Sequence, residues 1–463
     1  MHVNQGAFMA WRPDFSADGK PFYLAIADAL AADIAAGRVQ PGERLPTQRD
    51  LASAMGLDLT TITRAYSEAA RRGLIAGEGR RGSFVRGGQA EADHALAGGE
   101  AASGMNMPPE PEDGALRRAI VDGTAALLEG RLAPLHYQPP GGTEAQRAAA
   151  ASFLGQLIPD TGPDQIAITA GAQHGLHAAL SLLIRPGDRI AAPAFTYPGF
   201  LAAARRLGAE LVPLAMDADG ILPDALERAA KAGPLKALYV VPTNDNPTTA
   251  TLPLARRTRI AALARHHGFA IVEDDAYGRL PSNPLPPLAA LVPDLTWHVA
   301  SVSKLVSPAL RVGFVRAPGV REAHALAAAA HESAVMAPPI NAALVAGWIH
   351  DGTLNRLANA VRAEAAARMK EAAAILGPAG ARFDPEGYHL WLPLPGGADA
   401  SRIAGQAIAA GLPAAPGGAF AIVPGEAPQA LRISLGGSAP RVRIVREIRR
   451  LDALLAQAGS SLV

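Results

Sequence analysis

The 463-residue sequence predicts two folded domains of different class, an N-terminal winged helix–turn–helix and a larger α/β domain on a mostly parallel sheet. Three observations predict it. Residues 21–87 alternate short helical patterns with tight Gly and Pro punctuation. Residues 87–104, GGQAEADHALAGGEAASG, are mostly small and polar and read as a linker. From Met105 onward, strand-like apolar runs alternate with Ala/Leu-rich helical ones: IAIT (166–169), ALYVVP (237–242), FAIVED (269–274), WHVAS (297–301) and VGFV (312–315). The domains are accordingly set at 1–86 and 105–463, with 87–104 between them.

Composition narrows the function classes. The net charge of +1 gives no overall attraction to nucleic acid, so any DNA binding has to come from a local basic patch. The absence of cysteine excludes disulfides, thiolate chemistry and cysteine-ligated metal, and no metal site is predicted. The first 22 residues contain Asp14, Asp18 and two prolines, and no uninterrupted apolar run reaches membrane-spanning length. A cytoplasmic protein is the expectation.

The N-terminal elements follow in order. Ile26, Leu30 and Ile34 are four apart, one face of a helix, with Gly37 placed to end it. Thr47 is positioned as the N-cap of a short helix that stops at Gly56. Next, Ile62, Ala65, Tyr66 and Ala69 follow helical spacing and must face a core. Thr60, Thr61, Thr63 and Arg64 therefore point outward, as a recognition helix requires. LIAGEGRRGSFVRG reads as a two-stranded wing, with Gly79 and Gly82 around Arg80 and Arg81 at its tip. From Arg38 to Arg86 there are nine Arg against five acidic residues, a surplus of four where the whole chain has one. A bare helix pair also occurs inside ordinary domains; a basic wing at the right distance argues against that reading here.

PGERLPTQRDLA, TTITRAYSEAARRGLI and GRRGSFV, in that order, resemble the winged-helix module of GntR-type transcriptional regulators over about residues 21–86. The resemblance implies a double-stranded DNA operator as partner. It also implies contacts by Arg44, Thr47 and Arg49 around the second helix, by Thr61, Thr63 and Arg64 on the third, and by Gly82 on the wing.

In the C-terminal zone the key segment is HVASVSKLVSPALRVGFV, where a strand ends at Ser301 and Lys304 follows in a tight polar loop. A lysine amine can form a Schiff base with an aldehyde, whereas a guanidinium stays protonated. Arg supplies 38 of the 43 basic residues, so a lysine here points to a need for an amine. Ser301 and Ser303 offer hydroxyls, and Arg311 offers a fork for a phosphate dianion. Upstream, Gly171 lets the backbone approach closely, and the free N–H groups of Ala172 and Gln173 open a helix toward an anion. Asp274, at the end of FAIVED, is placed to pair with a protonated ring nitrogen, with Asp275 as its solvated neighbour. Tyr277 and Asn246 are candidates for a ring hydroxyl. Tyr197 is the candidate to stack on the ring, ahead of Phe195. His266 and His267 read as surface residues, His174 and His177 as helix surface near the Gly171 turn, and Trp391 as packing.

These pieces resemble fold-type I aminotransferases over roughly 105–455. The resemblance implies a large domain with a mostly parallel sheet and a small C-terminal α+β subdomain at about 335–463. It implies pyridoxal 5'-phosphate bound through Lys304, with Asp274 on the ring nitrogen. Asn246 and Tyr277 would hold the ring oxygen, and Ser301, Ser303 and Arg311 the phosphate. By the same resemblance Arg432 in ALRISLG clasps a substrate carboxylate, and Tyr137 in HYQPPGG reaches the phosphate of a partner subunit, which implies a homodimer. One departure is Thr249, which stands where the family has glycine in Asn-Pro-Thr-Gly. A β-branched residue suits positive φ poorly, so the turn there is expected to differ.

A winged helix fused to an aminotransferase-like domain is the layout of the MocR-type branch of GntR regulators. It implies a transcription factor that senses an amino acid or amine by external aldimine formation at Lys304. The alternatives are a working aminotransferase with an appended DNA-binding domain, and a DNA-binding scaffold with a vestigial cofactor site.

Overall fold

The computed structural model describes residues 11–13, 21–35, 38–40, 43–72, 74–77, 82–85, 104–130 and 135–460. Gly37, Gly79, Arg80, Arg81 and linker residues 87–103 lie outside the described residues. The chain divides into two compact units, Met1–Ala97 and Gly98–Val463.

In the first unit, α1 (Phe22–Ala35), α2 (Gln48–Met55) and α3 (Leu59–Arg71) precede the antiparallel pair β1 (Ile75–Gly77) and β2 (Ser83–Val85). The Thr47 hydroxyl caps α2 by accepting from Asp50 N at 3.2 Å, and Gly56 ends that helix with φ 65°. Asp58 caps α3, its carboxylate accepting from Thr60 N at 2.7 Å. Ile62, Ala65, Tyr66 and Ala69 are buried against Ile26, Leu30, Leu51 and the wing residues Ile75 and Val85. Residues 43–45 run beside β2, with Leu45 N donating to Ser83 O and Val85 N to Glu43 O, each at 2.9 Å. The wing is thereby tied to the turn between α1 and α2.

The second unit begins with α4 (Ala115–Glu129) and α5 (Glu144–Gly155). Its main sheet is made of β3 (Ile166–Thr169), β4 (Arg189–Pro193), β5 (Glu210–Leu214), β6 (Ala237–Val240), β7 (Ala270–Asp274), β8 (Thr296–Ser301) and β9 (Gly313–Arg316). The strand order is β3-β9-β8-β7-β6-β4-β5. β9 runs antiparallel to both neighbours, and every other pair is parallel. The intervening helices are α6 (Ala172–Leu183), α7 (Pro198–Arg206), α8 (Pro223–Lys231) and α9 (Leu254–His267), followed by α10 (Val320–Ala334) and α11 (Pro339–His350). β3, β6, β8 and β9 are buried at every residue. Helices cover both faces, so these strands read in the sequence as continuous apolar runs rather than as alternation.

A second sheet joins β10 (Arg382–Phe383), β11 (His389–Pro393), β12 (Ala414–Pro416) and β13 (Ala430–Ser434) in the antiparallel order β10-β11-β13-β12. Its core is shared with α12 (Thr353–Leu376), α13 (Ala400–Ala409) and α14 (Arg441–Ser460). α11, by contrast, buries Leu344, Val345 and Trp348 with α5 and β3. No helix among the described residues is long and apolar enough to cross a membrane.

Candidate functional site

The carboxyl ends of the parallel strands meet the approach to β9 at a cavity of about 100 Å³. Open α/β sheets bind ligands at that end because loops and helix N-termini gather there. β8 ends at Ser301, and the turn after it presents Ser303 and Lys304. β7 delivers Asp274 as its last residue, and the loop after β6 delivers Asn246. Ala172 and Gln173 at the start of α6, Tyr197 before α7, and Tyr277, Ser301 and Arg311 line the same space.

Several polar atoms there lack partners. Asp274 Oδ2 accepts from the Tyr239 hydroxyl at 2.8 Å, while Asp274 Oδ1 is buried without a hydrogen bond. Asn246 Oδ1, Ser303 Oγ and Gln173 Oε1 are buried unpartnered as well. Such groups are rare in a folded interior unless a ligand or water completes them. Burial raises the Asp274 carboxyl to about 6, with the Tyr239 hydrogen bond opposing it. For the partly buried Lys304, burial lowers the amine to about 8; the charges of Arg432 and Arg311 add to this, and Asp274 opposes them.

An anion cradle lies beside the amine. Gly171 caps α6 at φ 86° and ψ 167°, a conformation essentially reserved for glycine. A Cβ at Gly171 would meet Arg311 Nη2 at 2.7 Å. The guanidinium donates to Ala170 O at 2.9 Å and so lies against the turn whose N–H groups open α6. A guanidinium fork beside a helix N-terminus suits a phosphate dianion.

Two of the sequence-selected residues stand apart from this wall. Tyr137 is 84 % exposed, and neither it nor Arg432 lines the cavity. Arg432, on β13, is almost wholly buried, and its Nε and Nη1 have no partner. Burial pulls its guanidinium down to about 10. Asp275, expected to be solvated, is instead buried, because the chain after β7 stays against β8: its N–H donates to Val299 O at 2.8 Å and its Oδ2 lies 3.7 Å from His298 Nε2. The turn at Thr249 does not avoid positive φ: Thr249 adopts φ 64° and donates its N–H to Asp245 O at 2.7 Å. Burial of that turn holds a geometry its sequence disfavours. His174 is half-buried rather than plain helix surface, accepting from Ala170 N at 3.1 Å. Phe195 packs toward Trp391 and Phe420, away from the cavity.

Sequence reasoning missed Tyr239, Asn106 and His389. Tyr239 had a signal, since a phenol inside an aliphatic buried strand needs a partner for its hydroxyl. Asn106 had none. Its Nδ2 donates to the Tyr277 hydroxyl at 2.9 Å and lies 3.1 Å from His389 Nδ1, and its Oδ1 accepts from Ser434 Oγ at 2.7 Å. Burial lowers the His389 imidazole to about 3, so it is neutral. Its Nε2, 3.0 Å from the Asp245 carbonyl, carries the proton, and its Nδ1 accepts from Asn106.

On the first unit, Arg44, Thr47, Arg49, Thr63 and Arg64 are exposed, and Thr61 is half-buried. Thr63 Oγ1 donates to Gln48 Oε1 at 3.0 Å, so α2 and α3 share a polar edge. The Arg64 guanidinium lies 5.6 Å from the Tyr23 ring centroid. Gly82 adopts φ 113°, and a Cβ there would meet Arg44 Nε at 3.0 Å.

Comparison with known proteins agrees with both halves. Residues 120–447 match the aminotransferase class I and II family, and residues 22–85 match the bacterial regulatory proteins of the gntR family. The HTH-type transcriptional regulator YdeF of Bacillus subtilis is 31% identical over 67% of this chain and 68% of its own. YdcR of Escherichia coli, also an HTH-type regulator, is 29% identical over 86% of this chain and 92% of its own. Among solved structures, the α-aminoadipate aminotransferase LysN of Thermus thermophilus, complexed with N-(5'-phosphopyridoxyl)-L-leucine, superposes with a TM-score of 0.70. It is 26% identical and covers 81% of this chain and 98% of its own. The chain belongs to the aminotransferase class I and II family and, with a gntR-family domain ahead of it, to the MocR-type branch of the GntR transcriptional regulators.

Proposed function

We propose that this regulator holds pyridoxal 5'-phosphate at Lys304, senses an amino acid or amine there, and binds a double-stranded DNA operator through its winged helix. The observation that carries the reading is the set of buried, unpartnered polar atoms around Lys304: Asp274 Oδ1, Asn246 Oδ1, Ser303 Oγ and Gln173 Oε1. Their chemistry fits that cofactor. Asp274 would hold the protonated ring nitrogen, Asn246 and Tyr277 the ring hydroxyl, and Tyr197 one ring face. Ser301, Ser303, Arg311 and the turn from Gly171 through Ala172 to Gln173 would hold the phosphate. Bound there, the cofactor would supply an aldehyde carbon that condenses with a primary amine, either that of Lys304 or that of an effector.

The chain's own residues then do the sensing. Lys304, with its amine lowered toward neutral pH, is a good leaving and returning nucleophile. Arg432 keeps two nitrogens free for an effector carboxylate. We assign residues 1–86 to DNA reading, 87–104 to the tether and 105–463 to sensing, with Tyr137 serving the phosphate of the second protomer of a homodimer. An effector switches DNA binding only if it binds one domain arrangement more tightly than the other.

The test is to follow the visible absorption of the cofactor-loaded protein while adding a panel of amino acids and amines with a keto-acid acceptor present, using Lys304→Ala as the blank. A persistent spectral change without keto product, together with altered operator binding, is the expected result. The second reading, a working aminotransferase, is favoured by the likeness to LysN over nearly the whole of that enzyme. Keto product accumulating over many turnovers would put the enzyme first.

A further inference from the structure

Between the linker and α4 the chain itself reaches the sensing site. The Gly104 carbonyl accepts from Arg432 Nη2, and the Asn106 carbonyl accepts from Lys304 Nζ. Met105, between them, lines the cavity. Downstream the segment is firmly held. Asn106 is buried and its side chain bonds Tyr277 and Ser434. Gly437 N donates to Pro108 O at 3.1 Å and Glu110 N to Gly437 O at 3.2 Å. Upstream, Gly104 is half-buried and is the last residue of the linker, and a Cβ there would meet nothing within 4 Å.

Arg432 is nearly fully buried and its guanidinium lies 5.8 Å from the Phe420 ring centroid, yet among the described residues its one hydrogen-bond acceptor is a neutral carbonyl, and two of its nitrogens have none. A carboxylate binds guanidinium through two adjacent N–H groups and with full charge, which makes it much the stronger acceptor. Both two-pronged edges of the guanidinium include Nη2, the nitrogen that Gly104 uses. Two acceptors crowded on that nitrogen repel one another.

We propose that Gly104 is a built-in occupant of the carboxylate fork, displaced from Arg432 by a ligand carrying a carboxylate and left in place by one carrying only an amine. Asn106 is the positioning residue that pins the segment beyond it. Occupancy of the fork is thereby passed to the last residue of the tether, through covalent connection alone. The inference rests on the reading of Arg432 as the effector's carboxylate partner and goes further, naming the ligand class and the segment that carries the signal.

Hydrogen–deuterium exchange of peptides covering residues 104–107 tests it in the full-length, cofactor-loaded protein. L-alanine, at the concentration that completes the change in cofactor absorbance, is expected to speed exchange there roughly tenfold, the equivalent of losing a charge-assisted hydrogen bond. L-alaninamide, which lacks the carboxylate, leaves exchange unchanged. Arg432→Gln without ligand reproduces the faster exchange. Wild-type exchange in both the L-alanine sample and Arg432→Gln overturns the proposal, as does equal opening by L-alaninamide. If L-alanine leaves the absorbance unchanged, the sensing reading fails for this ligand class, and Arg432→Gln alone still decides whether the fork holds the segment.

Discussion

Lys304 shares its surroundings with the Asp274 carboxylate and with the guanidiniums of Arg432 and Arg311. Burial and the two arginines outweigh Asp274, and the amine falls from the ordinary lysine range to about 8. Only the neutral amine attacks an aldehyde. The rate at which apo-protein takes up pyridoxal phosphate should therefore rise about tenfold per pH unit below pH 8 and level off above it. Stopped-flow absorbance checks this, and a flat profile would mean that the amine is already neutral or that another step limits. The shift has a cost for the apo-protein. Between the folded value and the ordinary one the unfolded chain holds a proton that the folded chain has shed, so stability rises with pH across that window. At this scale the sequence was readable wherever chemistry demands a residue type. Lys304, Asp274, Asn246 and Ser303 could be picked out because an amine, a carboxylate, an amide and a hydroxyl at strand ends are chemically distinctive, and the four line one cavity. Asn106 could not, because its place depends on Gly436, where a Cβ would come within 1.5 Å of Met107 O. No local pattern encodes that approach.

Elements set the site's precision. The N-terminus of α6 is aimed at the cavity by the glycine-only conformation at Gly171, and Arg311 fills the space where a Cβ would go. Gly171→Ala should strain the turn and push the guanidinium aside, weakening cofactor retention roughly tenfold to a hundredfold while the far-ultraviolet spectrum holds. Equilibrium dialysis against pyridoxal phosphate reads this directly; unchanged retention would remove the cradle from the account. On α2 and α3, Arg49 and Arg64 are both exposed, but Arg64 also rests on Tyr23. If each neutralises one phosphate, Arg49→Ala and Arg64→Ala each lower the slope of log affinity against log salt by roughly 0.9. Only Arg64→Ala should also cost stability, by about 0.5–1 kcal/mol. Binding isotherms at several salt concentrations, with thermal melts alongside, separate the two roles. The strands ending at Thr169, Asp274 and Ser301 were legible because buried parallel strands are short apolar runs followed by polar turns. β4 and β5 were not, since RIAAP holds only small and end-capping residues around Ile190, and ELVPL is broken by Pro213 and is mostly not buried.

For the whole molecule, the proposed homodimer has Tyr137, 84 % exposed in one chain, serve the site of the other. Mixing tests it without any partner structure. Lys304→Ala and Tyr137→Ala each damage the site when alone. In a mixed dimer, the Tyr137→Ala protomer keeps its lysine and receives the intact Tyr137 of its companion, so cofactor absorbance should return to half the wild-type value. No recovery on mixing would put Tyr137 to work within its own chain. The two-unit organisation was evident from the run of small residues between two unlike periodicities, whereas the membership of α11 in the main core was not, because its pattern is apolar all round. β9 runs back beside β8, with Gly313 paired to Ser301, so Lys304 and Arg311 lie within a single hairpin connection. Closing so short a loop costs little entropy. Lys304 and Arg311 therefore reach their mutual spacing early, before β4 and β5 have to find the sheet. On the proposed reading, pyridoxal phosphate would be a template for refolding as well as a ligand of the finished protein. Pyridoxal phosphate present during refolding should then speed the return of native tryptophan fluorescence, and equal rates with and without it would place docking of the whole sheet ahead of cofactor capture.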